Sequence, residues 1–176
     1  MPVPAAGFAK LRGQRIVIGL AGLGWRGDLR ADDPVIQAAR TYVPVLTEPD
    51  YYRAEIDQTE VFAPLVPVER VWVEQPGPAS AAPPAPDLFG RLVRLDTPPD
   101  RPPVPASEVL GLTGRRVIEL TADGERRDLR AVTEPYENAD GDICIRTCAE
   151  RDWYQWSFTG QPAKTRELPV HLVWAE

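Results

Sequence analysis

The side chains best suited to chemistry in this chain occur in two identical segments. Asp28-Leu29-Arg30-Ala31 recurs as Asp128-Leu129-Arg130-Ala131. In each segment the acid and the base stand two residues apart, a spacing that puts both on one face of a β-strand. These side chains are candidates for lining a polar pocket, but a ladder of ion pairs along the strands is the favoured interpretation. The four residues concerned are Asp28, Arg30, Asp128 and Arg130.

Aromatic side chains form the second group of candidates, which we call the aromatic patch. Its members are Tyr51, Tyr52, Trp153, Tyr154 and Trp156. A rigid ring with a polar edge offers a large contact area at low entropic cost, so such residues suit surfaces that bind peptides. They suit the core of a small β domain as well. We predict that the aromatic patch binds a protein or peptide partner.

The sequence contains few residues that could form a catalytic or a metal-binding site. Cys144 and Cys148 stand four residues apart, and His171 is the single histidine. Zinc sites usually combine closer cysteine pairs with four ligands, and one histidine without a nucleophile motif does not make a hydrolytic triad. We therefore predict buried thiols that act as small apolar residues, with no catalytic residue, no metal and no cofactor.

A glycine-rich segment matches the dinucleotide-binding fingerprint only in form. Gly22, Gly24 and Gly27 have the spacing G-x-G-x-x-G. Trp25 and Arg26 crowd the turn and no helical pattern follows, so a glycine-rich β-hairpin is the better interpretation.

The two candidate groups belong to a duplicated unit. LRGQRIVIG in the first half matches LTGRRVIEL in the second, and the copies close on PVERVWVE and PVHLVWAE. Motifs that keep one order at a spacing of about 100 residues indicate that a small domain was duplicated. The predicted divisions are a mobile lead at 1–10, a first β repeat at 11–75, a proline-rich linker at 76–106 and a second β repeat at 107–176.

The predicted linker differs in composition from both repeats. Half of the 20 prolines lie within it, so most of it should be extended and similar to polyproline. The apolar island at 87–95 interrupts this pattern. We infer that the island docks on one copy or bridges both. This inference is supported because Ile18 and Leu20 of the first copy align with Glu119 and Thr121 of the second, so that the same strand face is apolar in one copy and polar in the other.

Each copy has the pattern of three strands, a helical turn and a closing strand. β-branched runs separated by glycine or Asp-Gly turns predict an opening hairpin, followed by a third strand at 42–46 or 143–147. Thr47 and Thr147 have the spacing of helix caps. Asp33-Pro34 predicts an extra short helix at 33–40 in the first copy.

The predicted fold is therefore mainly β, with two small domains in tandem. Each domain resembles in its architecture a small SH3-like barrel, because Pro-Val-x-x-Val-Trp stands where such barrels pass from a helical turn into the last strand. An open α+β sheet with the helical turn on one face is the competing fold.

Charge and hydropathy disfavour two classes of partner. The net charge of -6 is divided about evenly between the copies, whereas a protein that binds phosphates usually has a concentrated basic face. The arginines at 115, 116, 126 and 127 are interpreted as solvated strand ends. No apolar run approaches the roughly 20 residues that span a bilayer. With no signal-peptide pattern and only two cysteines, we predict a cytoplasmic protein.

The leading functional hypothesis is a binding or adaptor module, without enzymatic activity, for a protein or peptide partner. Duplication supports it, because two weak sites on one chain raise avidity without new contacts. The alternative is an enzyme or small-molecule carrier whose pocket lies between the copies and uses the acids and arginines of the duplicated segments.

Overall fold

The fold is taken from a computed structural model that describes residues 2–20, 23–74, 98–99 and 101–176. The described chain forms two compact units, unit 1 at 2–74 and unit 2 at 101–176. Each unit is built mainly from antiparallel strands, which confirms the predicted tandem β architecture. The apolar island at 87–95 lies outside the described residues.

Unit 1 has seven strands and one α-helix among its described residues. They are β1 Val3–Pro4, β2 Arg15–Leu20, β3 Gly24–Ala31, β4 Val35–Gln37, β5 Arg40–Thr47, α1 Glu48–Asp57, β6 Leu65–Pro67 and β7 Val71–Val73. Short 3-10 turns at Ala5–Gly7 and Val68–Arg70 follow β1 and precede β7.

The strands of unit 1 form one curled sheet in the order β1-β7-β2-β3-β5-β4, and β6 also pairs with β5. Tyr42 of β5 faces Val35 of β4 on one side and Pro67 of β6 on the other. The far end of β5 pairs with β3, where Leu46 faces Arg30. Strands β3 and β4 therefore pair with one edge of the long strand β5, and β6 pairs with its other edge.

Unit 2 repeats this arrangement from residue 104 onward. Its elements are β8 Val104–Pro105, β9 Arg116–Thr121, β10 Gly124–Ala131, β11 Tyr136–Glu137, β12 Ile143–Ala149, α2 Glu150–Thr159, β13 Arg166–Pro169 and β14 Val173–Ala175. The sheet order is β11-β12-β10-β9-β14-β8, with β13 also pairing with β12. The strand pairs thus correspond one to one between the units.

The core of each unit fills the inner face of its curled sheet. Alternate strand residues point inward, and those of unit 1 include Ile16, Ile18, Leu29, Val43 and Val45. The corresponding core of unit 2 contains Val117, Leu129, Ala131, Ile145 and Val173. The helices lie on the opposite, outer face, where they contact β3 and β5 or β10 and β12.

The alignment of Ile18 with Glu119 has a visible result inside the two units. Ile18 belongs to the core of its own unit, whereas the predicted docking of the apolar island involves residues outside the described chain and stays a prediction. Glu119 occupies the equivalent buried position in unit 2, where Arg166 forms a salt bridge with it. The substitution therefore replaces an apolar core contact with an ion pair.

Each β unit begins earlier in the chain than we predicted. Val3 and Pro4, which we assigned to a mobile lead, pair with Val73 and Trp72. Val104 and Pro105 of the predicted linker pair in the same way within unit 2. The signal was present in the sequence, because Pro-Val-Pro-Ala opens both copies, at 2–5 and at 103–106.

The helix predicted at 33–40 is wrong. Val35–Gln37 pairs with β5 as a hairpin, and Ala38 and Ala39 form its turn. β-branched Val35 and Ile36 suit a strand when Tyr42 and Thr41 are available as partners, and this pairing overrides the weak helix signal of Asp33-Pro34. Unit 2 has a strand at the same place, β11, and a longer loop.

Candidate functional site

Each helix begins directly at the end of the strand before it, which brings its first residues over the outer face of the sheet. In unit 1, Thr47 caps α1 by accepting a hydrogen bond from the amide of Asp50 at 3.3 Å, as predicted. In unit 2 the cap position is Ala149, and Thr147 lies within β12, so the predicted cap there is wrong.

A buried arginine joins α1 to the sheet of unit 1. Arg30 donates hydrogen bonds to the carbonyl of Gly13 at 2.8 Å and to the hydroxyl of Tyr52 at 3.1 Å. Its Nε lies 3.6 Å from Oε1 of Glu48, the first residue of the helix, and Nε of Arg15 lies 3.8 Å from the same oxygen. The guanidinium therefore contacts the turn before β2, the start of α1 and its second turn.

The same contacts recur in unit 2 with closer ion pairing. Arg130 donates to the carbonyl of Gly114 at 2.8 Å, to the hydroxyl of Tyr154 at 2.9 Å and to Oε1 of Glu150 at 2.9 Å. The guanidinium carbon of Arg130 also lies 5.4 Å from the centre of the Tyr154 ring. We call this duplicated set the Arg-Glu-Tyr cluster.

The predicted pocket of acids and arginines is not formed as one set in either unit. Asp28 is exposed, whereas Arg30 two residues later is buried. The sheet register shifts at this point, and Asp28 has a left-handed backbone with φ 57°. Asp128 shows the same bulge with φ 58°. Because a bulge re-aims the side chains beside it, acid and base do not share a face.

The aromatic patch divides between structural and surface roles. Tyr52 and Tyr154 accept hydrogen bonds from Arg30 and Arg130 of the clusters described above. Tyr51 packs over the turn at Gly13, where an added Cβ would lie 3.0 Å from the Tyr51 hydroxyl. Gly13 also has φ 78°, so the turn requires glycine for both reasons. Burial, with the neighbouring Glu55, raises the pKa of Tyr51 to about 12.

Trp153 takes the place of Tyr51 in unit 2. Its ring covers Gly114, which has φ 83°, at 3.4 Å from an added Cβ. Trp156 lies edge-on to Trp153 with ring centres 5.6 Å apart. Both indoles are partly exposed. Of the predicted patch, Tyr51, Trp153 and Trp156 therefore retain surface that a partner could contact.

A second exposed surface, which the sequence analysis did not identify, lies on the outer sheet face of unit 1. Residues that face each other across neighbouring strands share a face. Val35, Tyr42 and Pro67 form one such row, and Pro44 faces Leu65 in the next. Val35 is 36% exposed and Leu65 is 38% exposed. We call these five residues the apolar face.

The equivalent face of unit 2 is polar, and its side chains hydrogen-bond to one another. Tyr136 donates to Glu167, and Arg146 donates to the Tyr136 hydroxyl at 3.2 Å. The Asn138 amide lies 3.5 Å from the Cys144 sulfur. Hydrogen bonding from Tyr136 lowers the pKa of Glu167. The two copies thus differ most clearly at this one surface.

The thiols have the properties of core residues. Cys144 and Cys148 are both free and buried, as predicted. Burial raises the pKa of both, that of Cys148 to about 11. His171 is exposed in a 3-10 turn. Within the described residues, no group of three or more potential ligands is placed to hold a metal.

Comparison with known proteins adds no relative to these observations. The chain matches no protein-family model, no curated protein and no solved structure. Fold and site together define a class of chain with two related antiparallel β units, each carrying a helix fixed by an Arg-Glu-Tyr cluster. Of the helices described, none is long and apolar enough to cross a bilayer.

Proposed function

We propose that this chain is a tandem β-domain binding module that holds a protein or peptide partner and performs no catalysis. The apolar face of unit 1 carries this proposal. In unit 2 the polar side chains of the equivalent surface hydrogen-bond to one another, whereas in unit 1 Val35 and Leu65 are more than one-third exposed. Exposed apolar residues grouped on one face are typical of interaction sites.

The Arg-Glu-Tyr clusters support a structural rather than a catalytic role for their arginines. Arg30 and Arg130 each donate to a carbonyl and a tyrosine hydroxyl of their own unit. A guanidinium that is held in this way is not available to a substrate. The alternative of an enzyme or carrier that uses these arginines therefore has less support than a binding module.

The charge pattern favours protein over nucleic acid as the partner. Arg127, part of the most basic segment, lies 2.7 Å from Glu125 and 2.9 Å from Glu176. These contacts reduce the local positive charge, and phosphate binding requires the opposite.

The proposal includes two finer assignments. The 3-10 turns at Val68–Arg70 and Val170–Leu172 directly precede the closing strands, which supports an SH3-like barrel for each unit. Two free buried cysteines are compatible with a reducing compartment, so a cytoplasmic location is part of the proposal.

The test is affinity capture with the intact chain from a lysate of its source, at low and moderate salt. Leu65→Arg places a charge on the apolar face, and Leu110→Arg is the matched control, because Leu110 is 91% exposed in unit 2. We expect a discrete protein with the wild type and the control and none with Leu65→Arg. Identical captures by all three chains, with unchanged circular dichroism, would exclude the apolar face as the binding site.

A further inference from the structure

Strand β4 forms an edge of the sheet in unit 1. Within the described chain it pairs only with β5. Its residues Val35, Ile36 and Gln37 carry no charge, and Ile36 is 77% exposed. An edge strand of this kind presents backbone N–H and C=O groups to which another strand can pair.

Native proteins usually protect such an edge with charges, prolines or bulges. The equivalent strand in unit 2 follows this rule, because it ends at Glu137 and leads into a loop with Asp140 and Asp142. In that loop the Asn138 side chain accepts hydrogen bonds from the amides of both aspartates, at 3.0 and 2.9 Å. β4 of unit 1 has no charge, proline or bulge between residues 35 and 37, and its one protective feature is its length of three residues.

The turn that holds β4 is strained. Ala38 and Ala39 both have left-handed backbones, with φ 47° and 61°. For residues other than glycine this conformation costs roughly 1–2 kcal/mol each. Two-residue hairpins usually avoid the cost with Asn-Gly, and strain of this kind is often retained where an element has a function. The turn therefore joins β4 to β5 at an energetic cost that its sequence does not avoid.

The charges at the two ends of β4 differ. Before the strand, the single Arg12 lies 3.5 Å from Asp32 and 3.8 Å from Asp33, so it balances one of the two carboxylates and this end stays negative. After the turn, exposed Arg40 faces Gln37 and makes no ion pair with a described residue. A partner that carries a carboxylate at this end would therefore complement Arg40.

We propose that β4 binds an extended segment of another protein as an additional strand of the sheet. The segment is apolar at alternate positions, so that its side chains contact Val35 or Ile36, and it carries an acidic residue close to Arg40. Backbone hydrogen bonds supply affinity and the alternate side chains supply selectivity, as in other cases of strand addition. This inference rests on the proposed function and specifies how the partner is held.

The experiment uses a library of random peptides selected on the intact wild-type chain, with binding of the enriched peptides measured on three variants. Ile36→Lys charges the edge, Leu65→Arg charges the apolar face, and Leu110→Lys is the control for an exposed leucine elsewhere. We expect Ile36→Lys to weaken binding by about tenfold or more and Leu110→Lys to leave it unchanged. Alternate N-methylation of the peptide should also abolish binding, because it removes the ladder hydrogen bonds.

The outcomes separate the two proposals. Peptides that lose affinity for Leu65→Arg but bind Ile36→Lys normally, or that tolerate N-methylation, would overturn strand addition and leave the proposed function standing. If no enriched peptide distinguishes any variant from the wild type, both proposals are wrong. As a further arm, Arg40→Glu should weaken the peptides that contain a carboxylate, and added salt should reduce the difference.

Discussion

Removing the arginine of one Arg-Glu-Tyr cluster should destabilise its unit strongly. Arg130→Met deletes three hydrogen bonds, one of which is the 2.9 Å ion pair with the fully buried carboxylate of Glu150. Breaking a buried ion pair from one side costs about 3–5 kcal/mol, because a charge remains in a medium that solvates it poorly. For a unit of about 75 residues, whose total stability is roughly 4–11 kcal/mol, this is a large fraction.

The double variant Arg130→Met, Glu150→Met removes both charges and should recover most of the loss. The rescue follows because well-packed apolar groups often replace a buried ion pair with little cost. Guanidinium unfolding followed by tryptophan fluorescence is the assay, in a background in which Trp25 and Trp72 of unit 1 are replaced by phenylalanine so that the signal comes from unit 2, where Trp153 and Trp156 lie on α2. The corresponding change in unit 1, Arg30→Met, provides a comparison.

Two results would refute this reasoning. A loss below about 1 kcal/mol for Arg130→Met would mean that the carboxylate finds another partner or water, and that the cluster does not hold the helix. A double variant no more stable than the single one would mean that the lost stability came from packing of the arginine side chain and not from the orphaned charge.

Three other predictions follow from the described contacts. Ala38→Asn with Ala39→Gly should stabilise unit 1 by about 1 kcal/mol or more, seen as a higher unfolding midpoint, because both residues have positive φ; no change would contradict the strained turn. Hydrogen bonds from the backbone amides of Thr113 and Leu112 and from the Thr113 hydroxyl lower the pKa of Glu134. The ionised carboxylate therefore stabilises the folded state fully above its ordinary pKa of about 4.5, and this stabilisation is lost as the pH falls through the lower pKa of the folded state. Glu134→Gln should therefore flatten the acid dependence of stability, and an unchanged pH profile would argue against it. Cys144 and Cys148 should not react with a thiol reagent at neutral pH until denaturant is added, because burial raises the pKa of each; fast reaction of the native chain would contradict their burial.

The tandem β architecture was predictable because its signals are local or repeated. β-branched runs and turn residues specify the opening hairpins, and the order of the shared motifs shows the duplication. The hairpin of β4 was not predictable in the same way. Its strand depends on pairing with Thr41 and Tyr42, whereas Asp33-Pro34 taken alone favours a helix start.

The Arg-Glu-Tyr cluster was only partly predictable. Arg30 was singled out because its segment is repeated, and a residue-by-residue comparison would have added Glu48 and Tyr52, which recur as Glu150 and Tyr154. The sequence does not show the bulge that turns Asp28 outward, since a bulge depends on the register between two strands. The apolar face was missed for a related reason, because its residues come from three separate segments of chain.

The identical opening strands have a consequence for folding. Pro-Val-Pro-Ala stands at 2–5 and again at 103–106, and each copy pairs with a closing strand that ends in a Val-Trp pair followed by a small residue. In a chain that refolds from the denatured state, the sequence of the opening segment alone does not specify which closing strand it pairs with. During synthesis β7 leaves the ribosome before β8 exists, so unit 1 closes on its own first strand. The order of translation thus favours the pairing seen in each unit, although the two opening segments have the same sequence.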